Sequence, residues 1–223
     1  MLTITRTALR ANRRRLVGMC SAVLIGVAFL SGTLVFGDTL RAGFDEAFAS
    51  STAGTDVVVR AERTVGDSDW AGRPPLDAEV LDRVAAVDGV LHVAPSIEGV
   101  AQILGSDGEA IGGQGPPTIG ANWVDTGELN PFQLAEGRAP AADDEVVIDR
   151  GSADTGGLAV GDRTTVRTPA PVEVEIVGIA TADGQDSIAG STFTAFSEDR
   201  ARELFLAGED LVTSVSVAAA DGV

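Results

Sequence analysis

The chain has no lysine; all 16 of its basic residues are arginine. That excludes the phosphate-gripping lysine of a P-loop and the amine of a Schiff-base enzyme. A Walker-type site for ATP hydrolysis is closed to it, so any ATP-derived energy must come from a partner. A single cysteine, Cys20, permits no intrachain disulfide, and with a single histidine, His92, it nearly excludes structural zinc. His92 lies in a Leu-His-Val stretch that reads as ordinary strand rather than as part of a Ser-His-Asp triad. Asp67-Ser68-Asp69 begins like a calcium loop, but Ala78 stands where the closing glutamate belongs. The two Trp and eight Phe are too scattered to form a stacking platform, and no dinucleotide fingerprint occurs. The chain therefore reads as a non-enzyme with no cofactor and no metal.

Charge is as uneven as composition. The net charge is −17, yet Arg6, Arg10, Arg13, Arg14 and Arg15 precede residue 16 without any acid; subtracting those five charges leaves −22 on the remainder. So acidic a surface repels nucleic acid, and no nucleic-acid partner is expected. After the arm and the apolar run that follows it, enough chain is left for one domain, or two small ones, with a real core.

That apolar run, Leu16 to Gly37, holds 22 residues without a charge. As a helix it is ~33 Å long, enough for a ~30 Å hydrocarbon core. Its length, and the lack of a nearby small-x-small cleavage site, favour a retained membrane helix over the alternative of a cleaved signal. The positive-inside rule leaves residues 1–15 as a cytoplasmic basic arm against membrane lipid and everything from Asp38 onward outside. Gly18, Ala22 and Gly26 recur at i, i+4, i+8 and form a small-residue face for helix packing. The chain offers no second span, so the face implies either a homodimer or helices supplied from elsewhere. Leu40, Phe44 and Phe48 repeat the same spacing and suggest a helical stalk within residues 38–54.

Residues 55–223 read as a mixed α/β domain. Asp56–Arg60 (DVVVR) predicts a strand buried on both faces. Leu76–Val87 predicts an amphipathic helix capped by Asp77 and stopped at Gly89. Val90–Val93 and Gly99–Leu104 follow as strand material, so Asp56–Leu104 has a βαβ-like order. Gly105–Pro117 is a hairpin or a flexible boundary. Further strands are expected at Thr118–Trp123, Glu145–Asp149, Arg163–Thr168, Val172–Thr181 and Ser191–Phe196. A helix over Glu198–Ala207, capped by Ser197, precedes a last strand at Leu211–Ala218. In that strand Val212, Ser214 and Ser216 should share one face, and Leu211, Thr213, Val215 and Val217 the other.

Four pieces occur in order between Leu134 and Thr181: Gly137-Arg138-x-Pro140, Glu145–Ile148, Gly157-Leu158-x-Val160-Gly161-Asp162 and Glu175–Ile179. Gly137 and Gly161 suit turns, Asp162 can accept backbone N–H groups, and Arg138 has Asp143, Asp144 or Glu145 as a partner. The ordered set resembles the periplasmic core domain of MacB/FtsX-type ABC transporter permeases, as does the succession of basic arm, membrane helix and stalk. The resemblance implies an α+β fold with one N-terminal membrane helix before an extracytoplasmic mixed α/β core domain. It also implies a location in the cell membrane, a cytoplasmic ABC ATPase subunit as partner, and further permease helices. Such permeases carry three more membrane helices, so the core domain is expected to be incomplete at its C-terminus and the chain to be an N-terminal portion. The alternative is a single-span or secreted binding domain that acts without an ATPase.

Overall fold

The structure, a computed structural model, describes residues 18, 21–35, 54–62, 73–113 and 115–220. The chain divides into two units, Met1–Glu46 and Ala47–Val223. In the first, residues 18 and 21–35 are helical and exposed throughout. Phe29 is 77% and Leu24 69% exposed, so the helix is apolar on sides that no core covers. Thr33 Oγ1 donates to the Phe29 carbonyl four residues back at 2.9 Å. Among the described residues no helix is long and apolar enough to cross a membrane. The ends of the expected 16–37 span, the stalk residues Leu40, Phe44 and Phe48, and the Asp67–Asp69 stretch lie outside the described residues.

The second unit contains thirteen strands and three helices among the described residues. In chain order these are β1 (Val57–Val59), β2 (Leu76–Asp77), α1 (Val80–Ala85), β3 (Val90–Ser96), β4 (Glu98–Val100), β5 (Gln102–Ile103), β6 (Thr118–Asn122), β7 (Phe132–Gly137) and β8 (Glu145–Asp149). There follow α2 (Arg150–Gly156), β9 (Arg163–Arg167), β10 (Pro171–Ala182), β11 (Thr192–Phe196), α3 (Glu198–Leu206), β12 (Leu211–Val212) and β13 (Ser214–Ala219).

The larger sheet runs β4-β6-β11-β8-β10-β9-β5, and β7 also pairs with β10. Its two ends, β4 and β5, belong to one run of chain with only Ala101 between them, so the sheet curls round and closes. Val146, Ile148, Val166, Val174, Ile176 and Phe196 fill the interior, each at most 1% exposed. Val147 faces the opposite way, into a second cluster with Phe132, Phe193 and Ala180. Strand β8 is therefore buried on both faces, as its unbroken apolar run requires. Phe205 of α3 lies over the cross-strand pair Gly99 and Gly120, where an added Cβ would fall 2.2 and 2.5 Å from its ring. The ring also meets Phe196 edge-on at 5.9 Å.

The smaller sheet is β1-β13-β3, with β13 antiparallel to both neighbours. The βαβ-like order is thus real, but the last strand of the chain splits it. Three expectations need correction. Strand β1 is an edge, with Val57 52% and Val58 37% exposed, because no strand covers its outer side among the described residues. The α1 helix is only Val80–Ala85, and Glu79 rather than Asp77 stands at its N-cap; residues 76–77 instead pair with β12. The final strand breaks at Thr213, whose N–H donates to Ser96 O at 2.8 Å. The break shifts the alternation, so Val212 joins Val215 and Val217 in the core.

Candidate functional site

The four sequence pieces between Leu134 and Thr181 converge on β10. Gly137 and Gly178 are direct cross-strand partners between β7 and β10. Gly137 has φ +76°, and a Cβ there would lie 2.1 Å from the Val177 carbonyl oxygen; at Gly178 it would lie 2.6 Å from Arg138 O. Both glycines are required because two backbones meet at a bulge. Next to this crossing, Arg138 grips Glu145 with both terminal guanidinium nitrogens, Nη1 donating to Oε2 at 2.6 Å and Nη2 to Oε1. Ala141 N–H donates to the same carboxylate at 2.9 Å and Ala142 N–H at 3.2 Å. The Arg138 hydrogen bond first, then the Ala141 amide, hold the Glu145 carboxyl down to about 2. Of the three carboxylates offered by sequence, Glu145 is the partner. Asp144 is taken by Arg163 at 3.0 Å, and Arg163 also reaches Glu175 at 3.2 Å.

The glycine turn before β9 is tied to the same strand. Gly161 N–H donates to Ile176 O at 2.7 Å and Ile176 N–H to Asp162 O at 2.9 Å. Asp162 Oδ2 accepts from Ala159 N–H at 2.8 Å, which closes the turn. Every piece of the motif thus maintains one knot of backbone around β10.

A second junction lies where the chain comes into the domain and where its last strand runs. Register pairs Val57 with Val217, and Asp56 N–H donates to Val217 O at 2.9 Å. Asp56 Oδ2 accepts from Ala219 N–H at 2.8 Å. Gly54, at φ +74°, presses against Glu128 O. At the end of β6, Asn122 secures the passage from β3 to β4 between the two sheets: its Oδ1 accepts from Ile97 N–H at 2.8 Å and its Nδ2 donates to Pro95 O at 3.0 Å.

Comparison with known families and structures places this arrangement. The family described as the MacB-like periplasmic core domain matches residues 17–223. The chain belongs to that family. Its fold is similar to the periplasmic region of MacB from Actinobacillus actinomycetemcomitans, at TM-score 0.51 and 13% identity, over 77% of this chain and 79% of that one. It also matches the extracellular domain of the noncanonic ABC-type transporter YknZ from Gram-positive bacteria, at TM-score 0.46 and 14% identity, over 74% and 85% of the two chains. No curated protein matches. The resemblance read from the ordered motif is met by the family, and the mixed α/β extracytoplasmic core domain is the fold of this chain.

Two further chemistry-bearing residues of this MacB-like domain have polar partners. His92 of β3 is half exposed and 3.6 Å from Glu128. Asp149 is buried, and burial pushes its carboxyl up, although hydrogen bonds from Ser152 and Phe193 oppose this. It caps α2 through Ser152 N–H at 2.9 Å and also accepts Phe193 N–H at 2.7 Å. Sequence reasoning missed α2 and this role of Asp149. A signal was available in Asp149, three residues before Ser152, with Gly157 following in the left-handed conformation. Among the described residues no group of three or more His, Cys, Asp or Glu is placed to hold a metal ion. Gly18, Ala22 and Gly26 lie at exposed helix positions. A Cβ added at Gly18 or Gly26 meets nothing within 4 Å. Leu40, Phe44 and Phe48 lie outside the described residues.

Proposed function

We infer that the chain is a non-enzymatic permease subunit, or the N-terminal portion of one, in an ABC-type export or mechanotransmission system. The observation that carries this reading is the family match beginning at residue 17, which takes in the apolar segment together with the core domain. In this reading residues 1–15 lie in the cytoplasm and 16–37 span the cell membrane. Residues 38–54 form the helical stalk and linker, and 55–223 stand outside as the core domain. A cytoplasmic ABC ATPase drives motion of the span, and the stalk delivers it at Asp56. The pairing of β1 with β13 supports this route, since a displacement before Asp56 acts at once on the strand in the middle of the smaller sheet. Gly18, Ala22 and Gly26 form the face on which another helix, from the permease or from a second copy, seats closely.

The test is purification of the full chain from its native membrane with its associated proteins, followed by assay of ATP hydrolysis. Wild-type preparations should carry ATPase activity, and Gly18→Leu with Gly26→Leu should lose most of it. A preparation without ATPase activity, or one indifferent to both substitutions, supports instead a domain that acts alone.

A further inference from the structure

Between the two sheets lies a cleft of about 190 Å³. One wall carries Thr55, Ser96 and Ser216, and the other Ile119, Phe132 and Phe193. The two Phe rings stack on each other with centroids 3.7 Å apart and planes at 12°, so the floor is one rigid apolar stack. The amides in the lining are already committed. Asn122 is spent on Pro95 O and Ile97 N–H, and Asn130 on Val124 O and Phe132 N–H. The Ser191 hydroxyl is spent on Ile188 O at 2.6 Å. What remains for a visitor is apolar surface, the hydroxyls of Thr55 and Ser216 on one wall, and one formal charge at the rim, Glu98. That carboxylate accepts Ser96 Oγ at 3.0 Å through Oε1, which leaves Oε2 open to a further donor. No arginine or histidine lines the cleft.

We propose that this cleft binds a small amphiphilic cation, an amine carrying one aromatic or branched aliphatic group. The apolar group lies on the Phe132–Phe193 floor and the ammonium faces Glu98. Size, sign and polarity argue together. Pockets for drug-sized ligands are ~300–1,000 Å³, so this one takes a single ring and a short tail. A neutral polar ligand finds only the Thr55 and Ser216 hydroxyls on one wall and gains nothing from Glu98 beyond a neutral hydrogen bond, and an anion meets Glu98 without any compensating cation in a strongly acidic domain. Thr55, one residue before Asp56, is part of the wall, so an occupant touches the segment through which the chain comes into the domain. The inference concerns the cleft alone and does not depend on an ATPase.

The full chain in nanodiscs of zwitterionic lipid is titrated with 4-fluorophenethylamine, its isostere 2-(4-fluorophenyl)ethanol and 3-(4-fluorophenyl)propionate, followed by ¹⁹F NMR with empty nanodiscs subtracted. One surface charge pair is worth about fivefold. The amine should bind about fivefold tighter than the alcohol, and the acid weakest. Glu98→Gln, which keeps the acceptor for Ser96, should bring the three within about twofold of one another. Ser216→Leu should block all three. Equal binding of the three probes to the wild type, tightest binding of the acid, or an order unchanged in Glu98→Gln overturns the proposal. So does the absence of binding at about 10 mM amine, ~−2.7 kcal/mol. If Ser216→Leu does not fold, the order of the probes in wild type and Glu98→Gln decides.

Discussion

Replacing Glu145 with Gln removes the charge that Arg138 and two backbone amides hold, while leaving the shape of the side chain. The Glu145 carboxyl falls from an ordinary 4.5 to about 2, a difference worth ~3 kcal/mol at full value. Glu145 is 16% exposed but Arg138 is 56% exposed, and screening through water reduces the contribution to ~1–2 kcal/mol. The sign follows from the direction of the shift. A carboxyl lowered in the folded state contributes stability that is complete above its unfolded value, near 4.5, and lost as pH falls toward about 2. Asp149 acts the other way: burial raises its carboxyl, so its contribution is present in acid and lost as pH rises through its folded value. Subtracting the variant from the wild type cancels Asp149. Urea unfolding of the full chain in a nonionic detergent, followed by tryptophan fluorescence, gives the difference at each pH. It should be ~1–2 kcal/mol at neutral pH, with more than half gone by about pH 3. A difference that stays level from neutral pH to about pH 3, or that grows on acidification, refutes the reasoning.

Gly137→Ala and Gly161→Ala form a contrasting pair, since both glycines have positive φ, +76° and +97°. The first places a Cβ against Val177 O, and the second meets open space. Gly161→Ala should cost ~1 kcal/mol and Gly137→Ala more than ~2 kcal/mol, read from urea midpoints; equal costs would show that the close approach at the β7–β10 bulge does not govern. Asp56→Ala should free the Ala219 amide, raising its hydrogen-exchange rate about fivefold or more, as loss of a ~1 kcal/mol hydrogen bond implies, while amides of β8 remain unchanged.

The parts of the fold that were legible in the sequence are those decided locally. The run Glu145–Asp149 and the alternation from Val172 give β8 and β10 almost to the residue, and Ser197 marks the start of α3. What was not legible depends on partners far along the chain. Val57–Val59 and Val146–Ile148 are both unbroken runs of β-branched residues, yet the first is a sheet edge and the second the centre, and only topology separates them. The α2 sequence RGSADTG has poor helix propensity and is helical because Asp149 caps it, while Ala153 and Gly156 are buried. Composition offered three carboxylates to Arg138, and the fold selects the one at the start of β8. The candidate site was legible as an ordered motif, but that Gly137 and Gly178 face each other required the structure.

The central claim is topological: the basic arm lies on one side of a membrane and the core domain on the other. Single cysteines in a Cys20→Ser background, at Arg10 in the arm and at Glu128 in the domain, are exposed to a membrane-impermeant maleimide in intact cells or spheroplasts and again after lysis. The account predicts that the cysteine at position 128 is labelled in both conditions and the one at position 10 only after lysis. Labelling of position 10 in intact cells, or protection of position 128 until lysis, would contradict it.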